Sequence, residues 1–291
     1  MLRSRRPFTF PGSGNCLHGR KAPRFRWLAC SPGAQTLYTP LRHWIVNVRA
    51  SYFDETREQV AGLWKTLAYK KIGVIYPEDA FGTAVLEGVR AALRECGAEP
   101  AATGSYQRQT AQVGGAIDTV RGASPDAVVV VGPANTVAPI LKQAQAKGWK
   151  PLFLTVSFVG TEALIAGARA DAEGVAITQV VPITCRNRSL SLYRRALGKY
   201  FPAERPDFVS LEGSVDARAL VEGLQRAWKD LTREGLIHPF ESIHDFDLGL
   251  GPQLKLNYSA KEHKAFDHAI PTVVRGGRAV PFTDWSTALS K

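Results

Sequence analysis

The feature that most constrains this chain is a regular alternation of short apolar runs with longer amphipathic segments between residues 69 and 181. Five apolar runs are predicted to be β-strands: Lys71–Tyr76, Ala101–Ser105, Ala127–Gly132, Leu152–Val156 and Val175–Val180. Amphipathic helices are predicted to follow the first four strands in turn, at about Gly82–Cys96, Ala111–Gly122, Thr136–Lys147 and Thr161–Ala168. Strands and helices that alternate in this way form an α/β fold, in which helices cover both faces of a doubly wound parallel sheet.

Two of the predicted helices end on the same pattern, a glycine just past the helix and a proline three residues later. The pattern occurs at Gly97 with Pro100 and again at Gly148 with Pro151. Glycine can adopt the left-handed conformation that closes a helix, and proline then begins a strand without donating a ladder hydrogen bond. The run Val128–Val131 is apolar on both faces, which predicts a strand at the centre of the sheet.

Beyond residue 181 the alternation stops. Two helices are predicted, Leu190–Phe201 and Ser210–Asp230, and the second has an apolar stripe at near-helical spacing. Short extended pieces follow at Leu254–Tyr258 and Pro271–Arg275, with a turn at Gly276–Gly277. This part is too irregular for a separate α/β domain, so we expect it to complete units that are formed elsewhere in the chain.

Length and charge restrict the possible functions. At 291 residues the chain is long enough for two domains. Its net charge is +11, but residues 1–30 carry seven basic residues and no acidic one, so the rest carries only +4. We expect residues 1–30 to be a disordered basic extension unrelated to the fold. A nucleic-acid-binding function would depend on this extension and its aromatic side chains alone, so no nucleic-acid partner is expected.

Several kinds of site lack their sequence motifs. No stretch has the roughly 20 apolar residues of a membrane helix, and prolines and glycines interrupt the apolar run that an export signal would need. The four cysteines form no Cys-x-x-Cys pair and the six histidines have no metal-ligand spacing. Walker A, Gly-x-Ser-x-Gly and His-Glu-x-x-His motifs do not occur. We therefore expect no catalytic residue, no metal and no cofactor.

Candidate binding residues lie in the loops that follow the predicted strands, because ligands of open α/β sheets bind at the carboxyl ends of strands. Three such loops carry suitable side chains: Pro77–Gly82, Gly132–Asn135 and Ser157–Gly160. Phe81 and Phe158 could form an aromatic wall, and Ser157 could orient a small polar ligand. In the alternative interpretation, the two phenylalanines only pack beneath their loops.

A nucleotide-dependent enzyme that uses the Gly132 loop is a further alternative. Such a loop would cradle a phosphate at the start of the following helix. However, it lacks the Gly-x-Gly-x-x-Gly pattern, and Pro133 removes a backbone donor from it.

Short segments over about residues 31–282 carry a resemblance to a known family by their order and spacing. They are Ser31–Gln35, Asn47–Ala50, Ile72–Tyr76, Ala80–Gly82, Pro125–Val129, Leu152–Leu154, Phe158–Gly160, Ala172–Val175 and Phe208–Gly213. Together they resemble the leucine/isoleucine/valine-type solute-binding proteins of bacterial ABC transporters, the type I periplasmic receptors. The resemblance implies a non-enzymatic, monomeric periplasmic protein with two α/β lobes, a small-molecule ligand between them and a membrane permease as partner.

The resemblance also implies a division into lobes. Residues 69–182 and 266–283 would form lobe two, and residues 31–68 and 183–265 would belong to lobe one. Family members begin with an export signal and several βα units, of about 30 residues each, so two or three units of lobe one are expected to be missing. A lobe of this kind would expose apolar surface. A truncated gene product, a wrongly chosen start and a non-functional truncated receptor are the alternatives that remain open.

The ligand contacts of the family carry over to seven positions: Ala34, Gln35, Thr36, Phe81, Pro133, Ser157 and Phe158. The first three would hold a ligand carboxylate from lobe one, and Phe81 would form a wall in lobe two. Amino-acid receptors commonly place an acid where this chain has Ser157. Because a buried ammonium without a carboxylate is poorly compensated, a branched-chain amino acid is in doubt as the ligand. An amide or an aromatic acid stays possible.

Overall fold

Seven strands form one sheet with helices on both faces, which confirms the predicted α/β fold class. The computed structural model describes residues 27–28, 33–108, 112–183 and 188–288. Of the predicted basic extension, residues 1–30, only Trp27 and Leu28 lie among them. Among the described helices, none combines the length and the hydrophobicity that crossing a membrane requires.

The described strands are, in chain order, β1 (Trp27–Leu28), β2 (Ile45–Val46), β3 (Ile72–Pro77), β4 (Ala102–Tyr106), β5 (Ala127–Val130), β6 (Leu152–Thr155), β7 (Ala176–Gln179), β8 (Phe246–Asp247), β9 (Lys255–Leu256), β10 (Ile270–Arg275) and β11 (Arg278–Pro281). The seven-stranded sheet has the order β11-β10-β7-β6-β5-β3-β4. Its strands β3 to β7 pair in parallel, whereas β10 is antiparallel to both β7 and β11. The five predicted strands coincide with β3 to β7 to within two residues at each end.

The described helices are α1 (Tyr52–Ala61), α2 (Ala80–Arg94), α3 (Gly114–Gly122), α4 (Ala134–Ala146), α5 (Thr161–Ala168), α6 (Arg188–Tyr200), α7 (Phe208–Ala227) and α8 (Arg233–Glu241). The sequence predicts α2 to α7 but neither α1 nor α8. The predicted first residue of α3, Ala111, lies outside the described residues, and the helix begins at Gly114. A π-helical turn, Gly62–Thr66, continues α1.

β5 is an interior strand and the middle one of the five parallel strands, in keeping with the prediction from its apolar side chains on both faces. Val128 and Val130 pack in the core formed with α3, α4 and α5, whereas Val129 and Val131 pack in the core formed with α1 and α2. All four valines are at most 1% exposed. Burying each such side chain stabilises the fold by about 1.5–3 kcal/mol, so this strand anchors both helical layers.

The two predicted helix ends adopt the expected conformation. Gly97 and Gly148 have φ values of +72° and +64°. Beyond each glycine, an N–H group donates back into the last helical turn, from Ala98 to the Leu93 carbonyl and from Trp149 to the Ala144 carbonyl. These bonds satisfy carbonyl groups that the helix end would otherwise leave unpaired.

We call the seven-stranded sheet with α1 to α5 the sheet unit, and β2, β8, β9 and α6 to α8 the helical unit. The helical unit has an apolar core of its own. Within the helical unit, β2 pairs in parallel with β1. Just beyond β2, Asn47 forms a parallel bridge with Lys264. Four large apolar side chains of this unit are between 61% and 76% exposed: Tyr200, Phe201, Trp228 and Leu231. The helical unit therefore presents exposed apolar surface.

The predicted division into lobes stays a prediction. The helical unit takes in most of residues 183–265, and the sheet unit takes in residues 69–182 together with β10 and β11. α1 falls in the segment assigned to lobe one, residues 31–68. It packs mainly on α2 and shares the apolar core on that face of the sheet.

Candidate functional site

Three aromatic rings meet at the carboxyl edge of the sheet. Phe81 lies in the first turn of α2, just beyond β3, and Phe158 lies in a 3₁₀ turn just beyond β6. The centroid of the Phe81 ring is 4.7 Å from that of Phe158 and 5.3 Å from that of Tyr52. Ala34 packs in the same apolar cluster. The structure therefore brings Ala34, Phe81 and Phe158 together, and it adds Tyr52, which the sequence did not single out.

Three other predicted residues, Gln35, Thr36 and Pro133, are not part of this apolar cluster. Gln35 begins a 3₁₀ turn and its Nε2 donates to Thr39 Oγ1 at 3.2 Å, while its Oε1 is buried without a hydrogen-bond partner among the described residues. Thr36 is exposed, and Pro133 is the half-buried N-cap residue of α4. Their part in ligand binding stays a prediction.

The remaining predicted residue, Ser157, is held by a buried network of charged side chains centred on Arg49. Arg49 is 3% exposed, and its Nη2 donates to Ser157 Oγ at 2.6 Å and to Glu55 Oε1 at 2.7 Å. Glu55 Oε2 accepts a hydrogen bond from the Ser157 N–H at 2.7 Å and another from Thr178 Oγ1 at 2.9 Å. Both the hydroxyl and the N–H of Ser157 are thus engaged within the protein.

The network also connects the two units. Arg49 Nη1 donates to Glu212 Oε1 of α7 at 3.2 Å, whereas Glu55 and Ser157 belong to the sheet unit. Close by, Lys264 Nζ pairs with Asp54 Oδ2 at 2.8 Å, again between the helical unit and α1. Charged contacts therefore bridge the units at the edge where the aromatic rings lie.

Local structure places Glu55 in the first turn of α1. Ser51 and Asp54 form a capping box, in which Ser51 Oγ accepts from the Asp54 N–H and Asp54 Oδ2 accepts from the Ser51 N–H. One turn beyond Glu55, the Nε2 of Gln59 donates to the Thr155 carbonyl at 2.8 Å and to Thr178 Oγ1 at 3.1 Å. Polar contacts thus attach α1 to β6 and β7 and fix the position of the Glu55 carboxylate.

Burial and charge shift the pKa values of the network. Burial alone would lower the pKa of Arg49, but the charges of Glu212 and Glu55 outweigh it and raise that pKa, so Arg49 stays charged. Burial raises the pKa of Glu212 against the opposing effect of Arg49. On the same helix, burial and the nearby charge of Glu212 raise the pKa of Asp216 to about 7. Burial is therefore the main reason that the pKa values of both α7 carboxyl groups are raised.

The Gly132 loop is poorly shaped for a phosphate. A Cβ atom at Gly132 would lie 2.5 Å from the Tyr106 hydroxyl, which donates to the Val131 carbonyl at 2.6 Å. The Tyr106 side chain therefore covers the turn that a nucleotide would need to approach. Pro133, as the N-cap residue of α4, offers no N–H there. These contacts weigh against the nucleotide-dependent enzyme.

A cavity of about 280 Å³ lies beyond the carboxyl end of β7, where it is lined by residues such as Val181, Phe208 and Ile270. A cavity of about 480 Å³ lies at the amino ends of β5, β6 and β7, where it is lined by residues such as Asp126, Trp149 and Glu173. That is the opposite end of the strands from the one where ligands of open α/β sheets bind. Within the described part of the chain, no three His, Cys, Asp or Glu side chains group as metal ligands would.

The sequence did not single out Arg49, Glu55 or Glu212 as functional residues. Arg49 and Glu212 lie inside two of the segments that carry the family resemblance, Asn47–Ala50 and Phe208–Gly213, and this was the available signal. Nothing in the spacing of the three residues indicates that they meet, because Arg49 and Glu212 are 163 positions apart.

Comparison with known proteins gives matches over most of the chain. A family model described as periplasmic binding protein matches residues 27–277. The structure of a possible leucine/isoleucine/valine-binding protein from Rhodopirellula baltica SH 1 is 28% identical. It superimposes with a TM-score of 0.84 over 90% of this chain and 72% of that chain. The similarity therefore extends over both the sheet unit and the helical unit.

Two more distant structures share the fold. One is a branched chain amino acid ABC transporter from Thermus thermophilus with bound valine, 22% identical, with a TM-score of 0.77 over 87% of this chain and 70% of that chain. The other is a fatty acid ABC transporter substrate-binding protein from Thermomonospora curvata, also 22% identical. Its TM-score is 0.76 over 87% of this chain and 67% of that chain.

Proposed function

Because the chain belongs to the periplasmic binding protein family, we propose that it is the substrate-binding component of an ABC importer. It binds a small organic ligand in a cleft between two lobes, and closure of the lobes buries the ligand. An amino acid, an amide and an aromatic acid are the candidate ligands. The protein acts in the periplasm as a monomer and delivers the ligand to a membrane permease.

The observation that carries this proposal is the aromatic group at the carboxyl edge of the sheet. Tyr52, Phe81 and Phe158 pack together beside Ala34, at the point where α7 of the helical unit reaches the sheet unit through Arg49. Apolar walls with a few placed polar groups are typical of small-molecule sites. Their position at the boundary between two packing units suits a ligand that is enclosed when the units approach.

The hydrogen bonds that Ser157 makes within the protein restrict which ligands it can bind. Because its N–H and hydroxyl both bond within the network, Ser157 has little capacity left for a ligand. Phe158, which is only partly buried, is then the side chain of this loop that contacts the ligand. This supports a ligand with an apolar or aromatic body.

The test is ligand-dependent thermal stabilisation of the full chain against a panel of amino acids, their amides, and aromatic and aliphatic carboxylic acids. We expect at least one member to raise Tm in a saturable way, with the affinity then measured by isothermal titration calorimetry. The Phe158→Ala variant removes part of the aromatic wall and is expected to weaken binding of that ligand at least tenfold. The control variant, Phe201→Ala, removes an exposed ring just beyond the end of α6 and leaves binding unchanged.

Two results would contradict the proposal. If no panel member stabilises the chain, it is not a functional receptor for these ligands, as expected for a truncated and inactive one. If Phe158→Ala and Phe201→Ala bind the ligand equally well, the ligand does not occupy the aromatic site.

A further inference from the structure

The cavity beyond the carboxyl end of β7 lies between the two units. Its volume is about 280 Å³, and its lining includes Val181, Phe208, Leu250 and Leu254, which are between 2% and 6% exposed. Phe208 begins α7 and the two leucines lie between β8 and β9, so these three belong to the helical unit. Ile270 of β10 lines the cavity from the sheet unit. A molecule in this cavity would therefore contact both units.

This cavity is separate from the aromatic site. Its buried apolar residues pack in the core of the helical unit, and none of its lining residues belongs to the apolar cluster that contains the three aromatic rings. Ile270 is the cross-strand partner of Gln179, so the two side chains share a face of the sheet. Gln179 bonds to Thr161 at the start of α5. The cavity thus lies on the α5 face, whereas the aromatic rings pack with α1 and α2.

The size and lining of the cavity suit a compact, uncharged molecule. An apolar cavity of about 150 Å³ holds one benzene, so this cavity has room for about ten non-hydrogen atoms. Among the described residues that line it, the polar side chains are Gln253, His268 and Thr272, and none is a carboxylate, a lysine or an arginine. Because a buried charge without a countercharge is costly, a neutral ligand is favoured.

A buried amide next to the cavity lining lacks a hydrogen-bond donor. Gln179 is 0% exposed, and its Nε2 donates to Thr161 Oγ1 at 2.8 Å and to Thr272 Oγ1 at 3.4 Å. Thr272 lines the cavity, and its hydroxyl already donates to the Ile177 carbonyl at 2.8 Å. The Oε1 of Gln179 has no partner among the described residues. Native proteins rarely leave such an oxygen unpaired unless a water or a ligand donates to it.

We propose that this cavity is a second binding site, for a compact, neutral apolar molecule that carries one hydrogen-bond donor, of the phenol or indole class. The apolar body packs against Phe208 and the two leucines, and the donor serves the amide oxygen of Gln179. An occupant contacts both units at once, so its binding opposes their separation. The site is distinct from the aromatic site and does not depend on the proposed function.

The test compares probes of the same shape that differ in the donor. Indole is compared with indene, and 4-ethylphenol with 4-ethyltoluene. Binding of each probe to the full chain is measured at pH 7.5 by thermal shift and calorimetry. We expect indole or 4-ethylphenol to bind at least fivefold more tightly than its matched hydrocarbon. Indole-5-carboxylate adds a charge to the same ring system and is expected to bind at least fivefold more weakly than indole.

Variants locate the site. Ile270→Trp fills the cavity from a partly exposed position and is expected to weaken binding of the donor probe at least tenfold. The control is Val280→Trp on the neighbouring β11, because Val280 is 39% exposed and does not line the cavity; it leaves binding unchanged. Gln179→Met removes the amide oxygen and is expected to reduce the preference for the donor probe over its hydrocarbon to less than twofold. This ratio keeps the test valid even if Ile270→Trp folds poorly.

The results separate this inference from the proposed function. If no probe binds, or if Gln179→Met keeps the wild-type preference, the inference is wrong and the ligand panel for the aromatic site is unaffected. Phe158→Ala is expected to leave binding of the donor probe unchanged. If it abolishes binding while Ile270→Trp does not, the probe occupies the aromatic site, which overturns this inference and supports the proposed function.

Discussion

At the scale of single residues, the most demanding feature is a guanidinium group inside the protein. An isolated buried charge is very costly, and a buried ion pair is tolerated only when its remaining donors and acceptors are satisfied. Arg49 meets this condition through Glu55, Ser157, Glu212 and the Ala50 carbonyl, which its Nε contacts at 3.1 Å. Removing the cation would leave Glu55, which is 0% exposed, without its countercharge.

The Arg49→Met variant is therefore expected to lower the free energy of unfolding by about 3–5 kcal/mol. The control is Arg57→Met, because Arg57 is 56% exposed and pairs with Asp54 and Glu95 at 3.6 and 3.5 Å. Exposed pairs of this kind contribute about 0–1 kcal/mol. Urea unfolding of both variants measures the difference, and equal losses would show that the Arg49 network does not stabilise the fold.

At the scale of secondary-structure elements, helices that pack through apolar stripes were predictable and α1 was not. The buried face of α1 includes Glu55, Thr56 and Gln59, so its sequence lacks the apolar periodicity by which amphipathic helices are found. The one local signal was the capping box of Ser51 and Asp54. By contrast, the ends of α2 and α4 were predictable because left-handed glycines close them.

Replacing glycine by alanine should have opposite effects on stability at positions with different backbone conformations. Gly97 has a φ of +72° with no atom within 4 Å of a new Cβ, so Gly97→Ala is expected to destabilise the protein by about 1–2 kcal/mol through backbone strain alone. Gly115 lies within α3, where a Cβ also meets nothing within 4 Å. Gly115→Ala should stabilise by about 0.4–1 kcal/mol, because it lowers the entropy of the unfolded chain. Thermal unfolding of both variants checks the signs, and a stabilising Gly97→Ala would contradict the conformational argument.

At the scale of the whole molecule, the two units differ in how well their surfaces are covered. The sheet unit buries β5 between two helical layers, whereas Tyr200, Phe201 and Trp228, at the ends of α6 and α7 or just beyond them, are exposed to solvent. The units are connected near the site by the Arg49–Glu212 and Lys264–Asp54 pairs. Elements with fewer buried contacts open more readily than a central strand.

Hydrogen exchange should therefore follow the division into units. We expect the amides of β5 to exchange at least tenfold more slowly than those in the middle of α6, since opening of the helical unit need not disrupt the central sheet. Exchange of the full chain, followed by mass spectrometry on peptides that cover each element, measures this difference. Equal protection of β5 and α6 would mean that the two units open together as one.

The sequence by itself determined the five parallel strands and the helices α2 to α5, because apolar strands, amphipathic helices and glycine helix ends are local patterns. It also indicated Phe81, Ser157 and Phe158, since loops that follow parallel strands lie at one edge of a sheet. Only the tertiary structure decided that Ser157 is engaged by Arg49 and Glu55, and that Glu212 arrives there from α7. Contacts between charged side chains far apart in sequence depend on how the units pack, and that packing leaves no periodic trace in the chain.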